Sequence, residues 1–254
     1  MIFKLSDIKT AVIMGGGHGI GLALTRRILA LYPDAQVFAS YRDASKAEIL
    51  KQLKGDYPDR LHVCQLDPTD ESQIERFVQQ IKLSTAELDL CINAIGTLHD
   101  SIVKPEKSLR DIDSQSLMHY FKVNSVITPL LAKHFFELLK HKKPSVFAAI
   151  SAKVGSIQDN QMGGWYGYRA SKAALNMFLK NIALEFERRN AKTLVLALHP
   201  GTTVTELSKP FIAKTKYTLH TPEQTADNLL AVINEQDISS NKRFLSWDQT
   251  ELPW

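Results

Sequence analysis

The sequence has few of the features that mark a membrane protein, a metalloprotein or a disulfide-stabilised protein. Among 254 residues there are only two cysteines, Cys64 and Cys91, each within an apolar run that predicts a buried strand. Such core thiols are typical of a reducing compartment, so neither a disulfide nor a metal site is expected. No apolar run is long enough to span a bilayer, and the first residues lack the apolar core of a signal peptide. We therefore expect a cytoplasmic protein with no membrane partner and no metal.

Charge of one sign is not concentrated anywhere along the chain. The formal net charge is +4, and the 31 lysines and arginines are scattered rather than gathered into a stripe. A nucleic-acid partner is therefore not expected, because such interfaces need clustered basic residues. The sequence also lacks low-complexity tracts and internal repeats. A chain of this length can bury a full core, so we expect residues 1–254 to form a single domain that binds an anionic small ligand.

What the sequence does have is a regular alternation of apolar, β-branched runs with helical patterns. Strands are predicted at residues 9–14, 36–40, 61–66, 88–93, 145–151, 193–199 and 243–247, and the later helices at 45–54, 70–83, 114–140, 168–189 and 222–235. This alternation predicts an α/β fold, a doubly wound, Rossmann-like parallel sheet with helices on both faces. Ligands bind such sheets beyond the carboxyl ends of the strands, so strand-end residues are the first candidates for a site.

A glycine-rich loop follows the first predicted strand and opens a helical pattern. It reads Gly15-Gly16-Gly17-His18-Gly19-Ile20-Gly21. Glycines allow a tight turn and a close approach to a pyrophosphate, which the free N–H groups and positive dipole of a helix N-terminus favour. Glycines alone are a weak signal, but the strand, turn and helix are the context that the nucleotide motif requires. The loop predicts a dinucleotide site, with His18 as an additional polar contact.

Two polar residues follow the second and third strands, where the adenosine end of a dinucleotide is expected. Arg42 takes the place where an acidic residue would accept the ribose hydroxyls, and a guanidinium can instead bind a 2′-phosphate. NADP(H) is therefore the expected cofactor, with NAD(H) less favoured, unless Arg42 is merely a solvated surface residue. Asp67 either accepts a hydrogen bond from the adenine amino group or caps the next turn beside Pro68.

Tyr168 and Lys172 lie four residues apart within a helical pattern that follows Gly163 and Gly164. Residues at this spacing are neighbours on a helix. The ammonium is therefore expected to lower the phenol pKa from its ordinary value of about 10, so that the tyrosine exchanges protons near neutral pH. The same spacing also occurs by chance on many helices. Together with a nucleotide loop, however, it predicts a proton donor that works beside a redox cofactor.

Asn124 lies at a predicted defect in the long helix over 114–140. Pro129 has no N–H for the Ser125 carbonyl four residues earlier, so the helix should kink there. The Asn124 amide either holds a water in a relay or is a satisfied structural group.

Other candidates end the later strands. Asn93, Ala94 and Gly96 follow the fourth strand, Ser151 ends the fifth, and Pro200, Gly201 and Thr203 form a turn that could contact a nicotinamide. Residues 206–220 have no clean periodicity and are expected to form a substrate lid.

In chain order these residues resemble the short-chain dehydrogenase/reductase family along nearly the whole sequence. The matching motifs are Gly15-x-x-x-Gly19-x-Gly21, Asn93-Ala94-Ile95-Gly96, Asn124, Ser151, Tyr168-x-x-x-Lys172 and Pro200-Gly201. The stretch from Gly155 to Lys172 and the pair Pro253-Trp254 further resemble the C-factor and sniffer branch of carbonyl-reductase-like members.

This resemblance implies an NADP-dependent oxidoreductase that interconverts a small carbonyl substrate and its alcohol. It implies Tyr168 as general acid, Lys172 as the residue that holds the nicotinamide ribose, Asn124 as the holder of a relay water and Ser151 as a donor to the carbonyl. A homodimer or homotetramer built on the helices 114–140 and 168–189 is also implied. The rival hypothesis, which the C-factor resemblance permits, is a nucleotide-binding signalling or developmental protein with little or no turnover.

The sequence departs from the family pattern at a few positions. Met14 replaces a usual threonine, Ala94-Ile95 replaces a usual Asn-Ala pair, and Ser151-Ala152 stands where Ser-Ser is common. The working serine is often the second of that pair, and adjacent strand residues point to opposite faces. Three alternatives follow: the chain bends and aims Ser151 at the site, Ser156 substitutes for it, or the site works without a serine.

Overall fold

This computed structural model describes residues 2–189, 191–213, 217–239 and 243–254. Within these residues there are nine strands, all paired in parallel. In chain order they are β1 (Thr10–Met14), β2 (Gln36–Tyr41), β3 (Leu61–Gln65), β4 (Leu90–Asn93), β5 (Ser145–Ile150), β6 (Thr193–His199), β7 (Thr202–Thr203), β8 (Leu219–His220) and β9 (Phe244–Ser246). Seven of them form one sheet in the order β3-β2-β1-β4-β5-β6-β9, and β7 pairs with β8 separately. The predicted doubly wound α/β fold is confirmed, and the single-domain organisation stays a prediction.

Helices cover both faces of the sheet. They are α1 (Gly19–Leu31), α2 (Glu48–Asp56), α3 (Glu71–Ser84), α4 (Ser114–Phe121), α5 (Ile127–Leu139), α6 (Tyr166–Arg188) and α7 (Pro222–Asn234). Ala11 and Ile13 of β1 pack in a core with α1 and α7, whereas Val12 and Met14 pack in a second core with α3, α5 and α6. This alternation follows from the two-residue period of a strand. None of the helices in the described ranges is long and apolar enough to cross a bilayer.

The predicted long helix over 114–140 is interrupted at Asn124. Between α4 and α5 the backbone forms a π-helical turn at Lys122–Val126. Pro129 has no N–H to offer the Ser125 carbonyl, and the wider turn lies where the regular bond is lost. The predicted defect is therefore confirmed, as a π-type turn within an otherwise continuous helical segment.

The ladder between β7 and β8 was not expected from the sequence. Thr202 pairs with Leu219, and Thr203 pairs with His220. Two-residue strands leave no alternating pattern to recognise, and their partner lies far along the chain. The pairing places the residues just before the segment 206–220 beside the residues that end it. The role of this segment as a lid stays a prediction, and its residues 214–216 lie outside the described residues.

Cys64 of β3 and Cys91 of β4 are free thiols. Burial raises the pKa of both groups, so neither is an activated thiolate. The cytoplasmic location inferred from these cysteines stays a prediction.

Candidate active site

A cleft of about 1230 Å³ lies at the carboxyl ends of the sheet strands. Its volume exceeds the roughly 300–1,000 Å³ of a pocket for one drug-sized ligand, so it has room for a cofactor and a substrate together. Asp67, Asn93 and Asn124 lie beside this cleft rather than on its wall. The other predicted site residues line it: Gly15, His18, Gly19, Ile20, Gly21, Arg42, Ala94, Gly96, Ser151, Tyr168, Lys172, Pro200, Gly201 and Thr203.

The glycine loop is shaped for a pyrophosphate. Gly15 and Gly19 have φ angles of 80° and 55°, in the left-handed region that favours glycine. A Cβ at Gly21 would lie 2.1 Å from the Gly15 carbonyl oxygen, so only glycine allows the strand and α1 to approach so closely. No side chain caps the start of α1 and no acidic residue lies in its first turn. No acidic side chain of the helix itself therefore competes with a ligand for the first N–H groups of α1.

Three basic side chains lie at the end of the cleft next to β2. They are Arg42, His18 of the glycine loop and Lys46, each on the wall of the cleft. Desolvation lowers the pKa of His18 and Lys46 lowers it further, while Asp43 and Glu206, which also line the cleft, oppose this lowering. Lys46 was not predicted as a site residue, although its position shortly after Arg42 was a usable signal. The cluster fits a phosphate group on an adenosine ribose.

The Asp67 carboxylate is engaged in its own turn. Its Oδ1 accepts the Thr69 N–H at 2.9 Å and the Thr69 hydroxyl at 2.8 Å. These contacts support the turn-capping interpretation. A contact between Asp67 and an adenine stays a prediction.

Tyr168 and Lys172 both line the cleft. Both lie near the start of α6, and their side chains are buried, with 9% and 3% of their surface exposed. The Lys172 Nζ donates to the Ile150 carbonyl at 2.9 Å and lies 5.9 Å from the centroid of the Tyr168 ring. The predicted pairing of the two side chains on one face of a helix is therefore present.

The predicted lowering of the Tyr168 pKa by Lys172 is wrong for this structure. Burial raises the pKa of Tyr168 to about 12, and burial lowers the pKa of Lys172 to about 8. The physical reason is that both groups lose water, which disfavours the phenolate as well as the ammonium. Tyr168 is a protonated phenol at neutral pH with or without this shift, because the ordinary tyrosine pKa is already about 10.

Asn124 joins α6 to the loop after β4. Its Oδ1 accepts the Thr97 N–H at 2.8 Å, while its Nδ2 donates to the Thr97 carbonyl at 2.9 Å and the Ser171 hydroxyl at 3.0 Å. These bonds support the interpretation as a satisfied structural amide. A Cβ at Gly96 would lie 3.5 Å from Oδ1 and 3.4 Å from the Lys172 Nζ, so both polar atoms flank one backbone position. The relay role of Asn124 stays a prediction.

Asn93 also has a structural set of contacts. Its Nδ2 donates to the Thr128 hydroxyl at 2.9 Å, and its Oδ1 accepts the Ile95 N–H at 3.0 Å. These bonds hold the end of β4 next to Ala94 and Gly96, which line the cleft. Asn93 therefore supports the cleft wall without lining the cleft itself.

The two candidate serines direct their hydroxyls to other partners. Ser151 donates to the Asn176 Oδ1 at 2.6 Å. Ser156 donates to the backbone oxygen of Trp254 at 3.3 Å and accepts the Asp159 N–H at 3.1 Å. Ala152 instead packs against the apolar cluster that contains Tyr168. The role of Ser151 as a donor to the carbonyl stays a prediction.

An aromatic wall borders the cleft next to Tyr168. The ring of Trp165 lies 6.2 Å from that of Tyr168 and 5.3 Å from that of Phe211, and the ring of His99 lies 5.5 Å from Phe211. The His99 Nε2 is also 3.2 Å from the Glu206 carbonyl oxygen. Sequence reasoning missed this wall because its members come from three separate loops without periodicity.

The sequence and the fold were compared with known proteins. The family described as short chain dehydrogenase matches residues 9–216. An uncharacterised oxidoreductase of Schizosaccharomyces pombe is 28% identical over 96% of this chain and 96% of its own length. The C-signal protein of Myxococcus xanthus is 28% identical over 58% of this chain and 84% of its own length.

Among solved structures, NADPH-bound carbonyl reductase from chicken fatty liver superposes with a TM-score of 0.86 at 26% identity, over 97% of this chain and 99% of the other. The resemblance of the sequence to C-factor and carbonyl-reductase-like proteins is confirmed by these matches. With a family match over most of its length and a matching fold, the chain belongs to the short-chain dehydrogenase family of oxidoreductases.

Proposed function

We propose that this protein is an NADP(H)-dependent carbonyl reductase that interconverts a small carbonyl compound and its alcohol, with Tyr168 as general acid and base. The observation that carries the proposal is the placement of a buried tyrosine and a buried lysine in the lining of one cleft that is also lined by the glycine loop. The carbonyl reductase of similar fold, which binds NADPH, supports the choice of cofactor and reaction.

The residues of the cleft fit the parts of this cofactor from one end to the other. The glycine loop would hold the pyrophosphate, and Arg42, His18 and Lys46 would hold the 2′-phosphate. Lys172 would hold the nicotinamide ribose, while Pro200, Gly201 and Thr203 would lie beside the nicotinamide. When bound, the cofactor supplies the hydride, and the protein supplies geometry and charge.

The chemistry of the protein itself rests on Tyr168. Its phenol is protonated at neutral pH, because even the ordinary tyrosine pKa of about 10 lies well above 7, and it can donate that proton to a carbonyl oxygen during reduction. The surrounding cluster of Leu98, Val103 and Tyr120 is apolar and keeps water from the transferred proton. Ser151, the predicted second donor to the carbonyl, is bound to Asn176, so in this arrangement proton transfer depends on Tyr168.

The rival function, a nucleotide-binding signalling protein, is favoured by the match to C-signal over 58% of the chain. Consumption of NADPH over a panel of aldehydes, ketones and quinones separates the two functions. We expect turnover with at least one carbonyl compound, and a rate roughly 10²- to 10⁴-fold lower in the Tyr168→Phe variant. Tight NADPH binding without any turnover across the panel would instead favour the signalling function.

Arg42→Asp is expected to narrow or invert a preference for NADPH over NADH. A charge-assisted hydrogen bond to a phosphate contributes about 1.5–3 kcal/mol, which corresponds to a roughly 10- to 100-fold change in affinity. The measurement is the pair of dissociation constants at one fixed ionic strength. Arg76→Asp on α3 is the matched control, because Arg76 is also exposed but does not line the cleft. An unchanged ratio in Arg42→Asp would remove this residue from the phosphate site.

We further propose a homodimer or homotetramer built on α4, α5 and α6. Met177 and Leu184 lie two helical turns apart on one stripe of α6, with 62% and 37% of their surface exposed. Light scattering at micromolar concentration is expected to give a dimer or tetramer mass, and Met177→Glu with Leu184→Glu to lower it. Leu83→Glu on α3, at a position that is 89% exposed, is the control and should leave the mass unchanged. A monomer mass for the unaltered protein would contradict the proposal.

A further inference from the structure

Glu106 is a buried acid that none of the motifs accounts for. It lies in the loop between β4 and α4, and only 2% of its surface is exposed. Its two carboxylate oxygens share the Gly167 N–H, each at 3.2 Å, and its backbone oxygen accepts the Trp165 N–H at 2.6 Å. Burying a carboxylate is costly unless it is compensated, so this placement calls for a physical reason.

The start of α6 supplies that reason. Gly163, Gly164 and Trp165 all have left-handed φ angles, of 64°, 63° and 51°, and no side chain of this local segment caps the helix. A bulky residue such as Trp165 rarely adopts this conformation. The first N–H groups of a helix have no partners within the helix, and a negative charge near them is favoured by the helix dipole. The Glu106 side chain provides an acceptor for one of these N–H groups from about 60 residues away.

The fit at this point is tight. A Cβ at Gly167 would lie 2.4 Å from Cδ2 of Tyr120 and 2.8 Å from Oε1 of Glu106. Tyr120 is itself held by a hydrogen bond of 2.7 Å from its hydroxyl to the Leu98 carbonyl, and its ring lies 6.3 Å from that of Tyr168. Glu106 and Tyr120 thus fill the space around the residue that directly precedes Tyr168. A displacement of Glu106 would move the backbone from which the phenol projects.

We propose that Glu106 is a positioning residue that caps α6 from a distant loop and, through Gly167, sets the position of the Tyr168 phenol. This proposal rests on the proposed function in assigning the proton transfer to Tyr168. It also links the loop after β4, which borders the cleft at Leu98 and His99, to the helix that carries the acid. Misplacement of a reacting group by about 1 Å can lower a rate by roughly 100-fold.

The test compares Glu106→Ala with Glu106→Gln. The glutamine amide oxygen can still accept the Gly167 N–H, so Glu106→Gln is expected to keep most of the turnover. Glu106→Ala should lower kcat by roughly 10- to 100-fold while the NADPH dissociation constant stays nearly unchanged, because Lys172, assigned to the nicotinamide ribose, is held separately by the Ile150 carbonyl. Glu75→Ala, at an exposed position on α3 outside the cleft, is the matched control and should change neither quantity.

Amide hydrogen exchange of the segment 163–172 supplies a readout that does not depend on turnover. Exchange in this segment is expected to be faster in Glu106→Ala than in Glu106→Gln or the unaltered protein. An equal loss of kcat and of NADPH affinity, or unchanged exchange in Glu106→Ala, would overturn the positioning role. If Glu106→Ala does not fold, Glu106→Asp, whose shorter side chain withdraws the carboxylate, replaces it with the same expected direction in both readouts. If the unaltered protein reduces no carbonyl compound, the proposed function fails and the exchange data alone decide the role of Glu106.

Discussion

Tyr168→Phe is expected to lower the rate of carbonyl reduction by roughly 10²- to 10⁴-fold, the usual contribution of a general acid. The substitution removes one oxygen and keeps the ring that packs with Leu98, Val103 and Tyr120. NADPH affinity should therefore stay nearly unchanged, because the phenol transfers a proton while other residues hold the cofactor. The measurement is kcat on one confirmed substrate together with the NADPH dissociation constant.

Two further variants sharpen this result. Tyr32→Phe at the end of α1 removes a phenol oxygen outside the cleft and should leave kcat unchanged. Lys172→Ala should lower both kcat and NADPH affinity, since the ammonium is assigned to the nicotinamide ribose. Near-native turnover in Tyr168→Phe would show that another group supplies the proton.

The fold was predictable because its signals are local. The alternation of strands and helices, the glycine loop and the spacing of Tyr168 and Lys172 can each be read within about 20 residues of sequence. Pro129 likewise gave the defect at Asn124, because the lost N–H is a covalent property of proline. The glycine loop also followed from a local rule, since the close approach of Gly21 to Gly15 excludes any side chain.

The finer features of the site depend on contacts between distant parts of the chain. The cap that Glu106 gives to Gly167 and the pairing of β7 with β8 have no periodic signature in the sequence. The predicted lowering of the Tyr168 pKa was wrong. The helix spacing shows only that Lys172 is a neighbour of Tyr168, whereas the burial that raises this pKa is a property of the whole fold. The direction of the Ser151 hydroxyl could not be predicted for the same reason. The alternation along a strand indicates on which face of the sheet a side chain lies, but the hydrogen-bond partner of Ser151 is Asn176, which lies on the distant helix α6.

Ala152→Ser is expected to raise kcat, because it adds a hydroxyl to a strand-end residue that lines the cleft and carries only a methyl group. Ala152 packs in the cluster with Tyr168, whereas the Ser151 hydroxyl is buried against Asn176. One preorganised donor to a developing oxyanion is worth on the order of 10²–10³ in rate, which sets the upper limit of the gain. The contacts thus favour the third of the three alternatives, a site that works without a serine.

Ser151→Ala is expected to act mainly on stability. The Asn176 Oδ1 would lose its donor, and within the described part of the chain the Asn176 Nδ2 already lacks a hydrogen-bond partner. An unsatisfied buried polar group costs about 1–3 kcal/mol, so the free energy of unfolding should fall by that amount. Ser156→Ala should loosen the contact to Trp254 and change kcat little. The three variants are compared by kcat on one substrate and by denaturant unfolding. A loss of roughly 10²–10³ in kcat in Ser151→Ala, with no gain in Ala152→Ser, would assign the carbonyl donor to Ser151 as the sequence predicted.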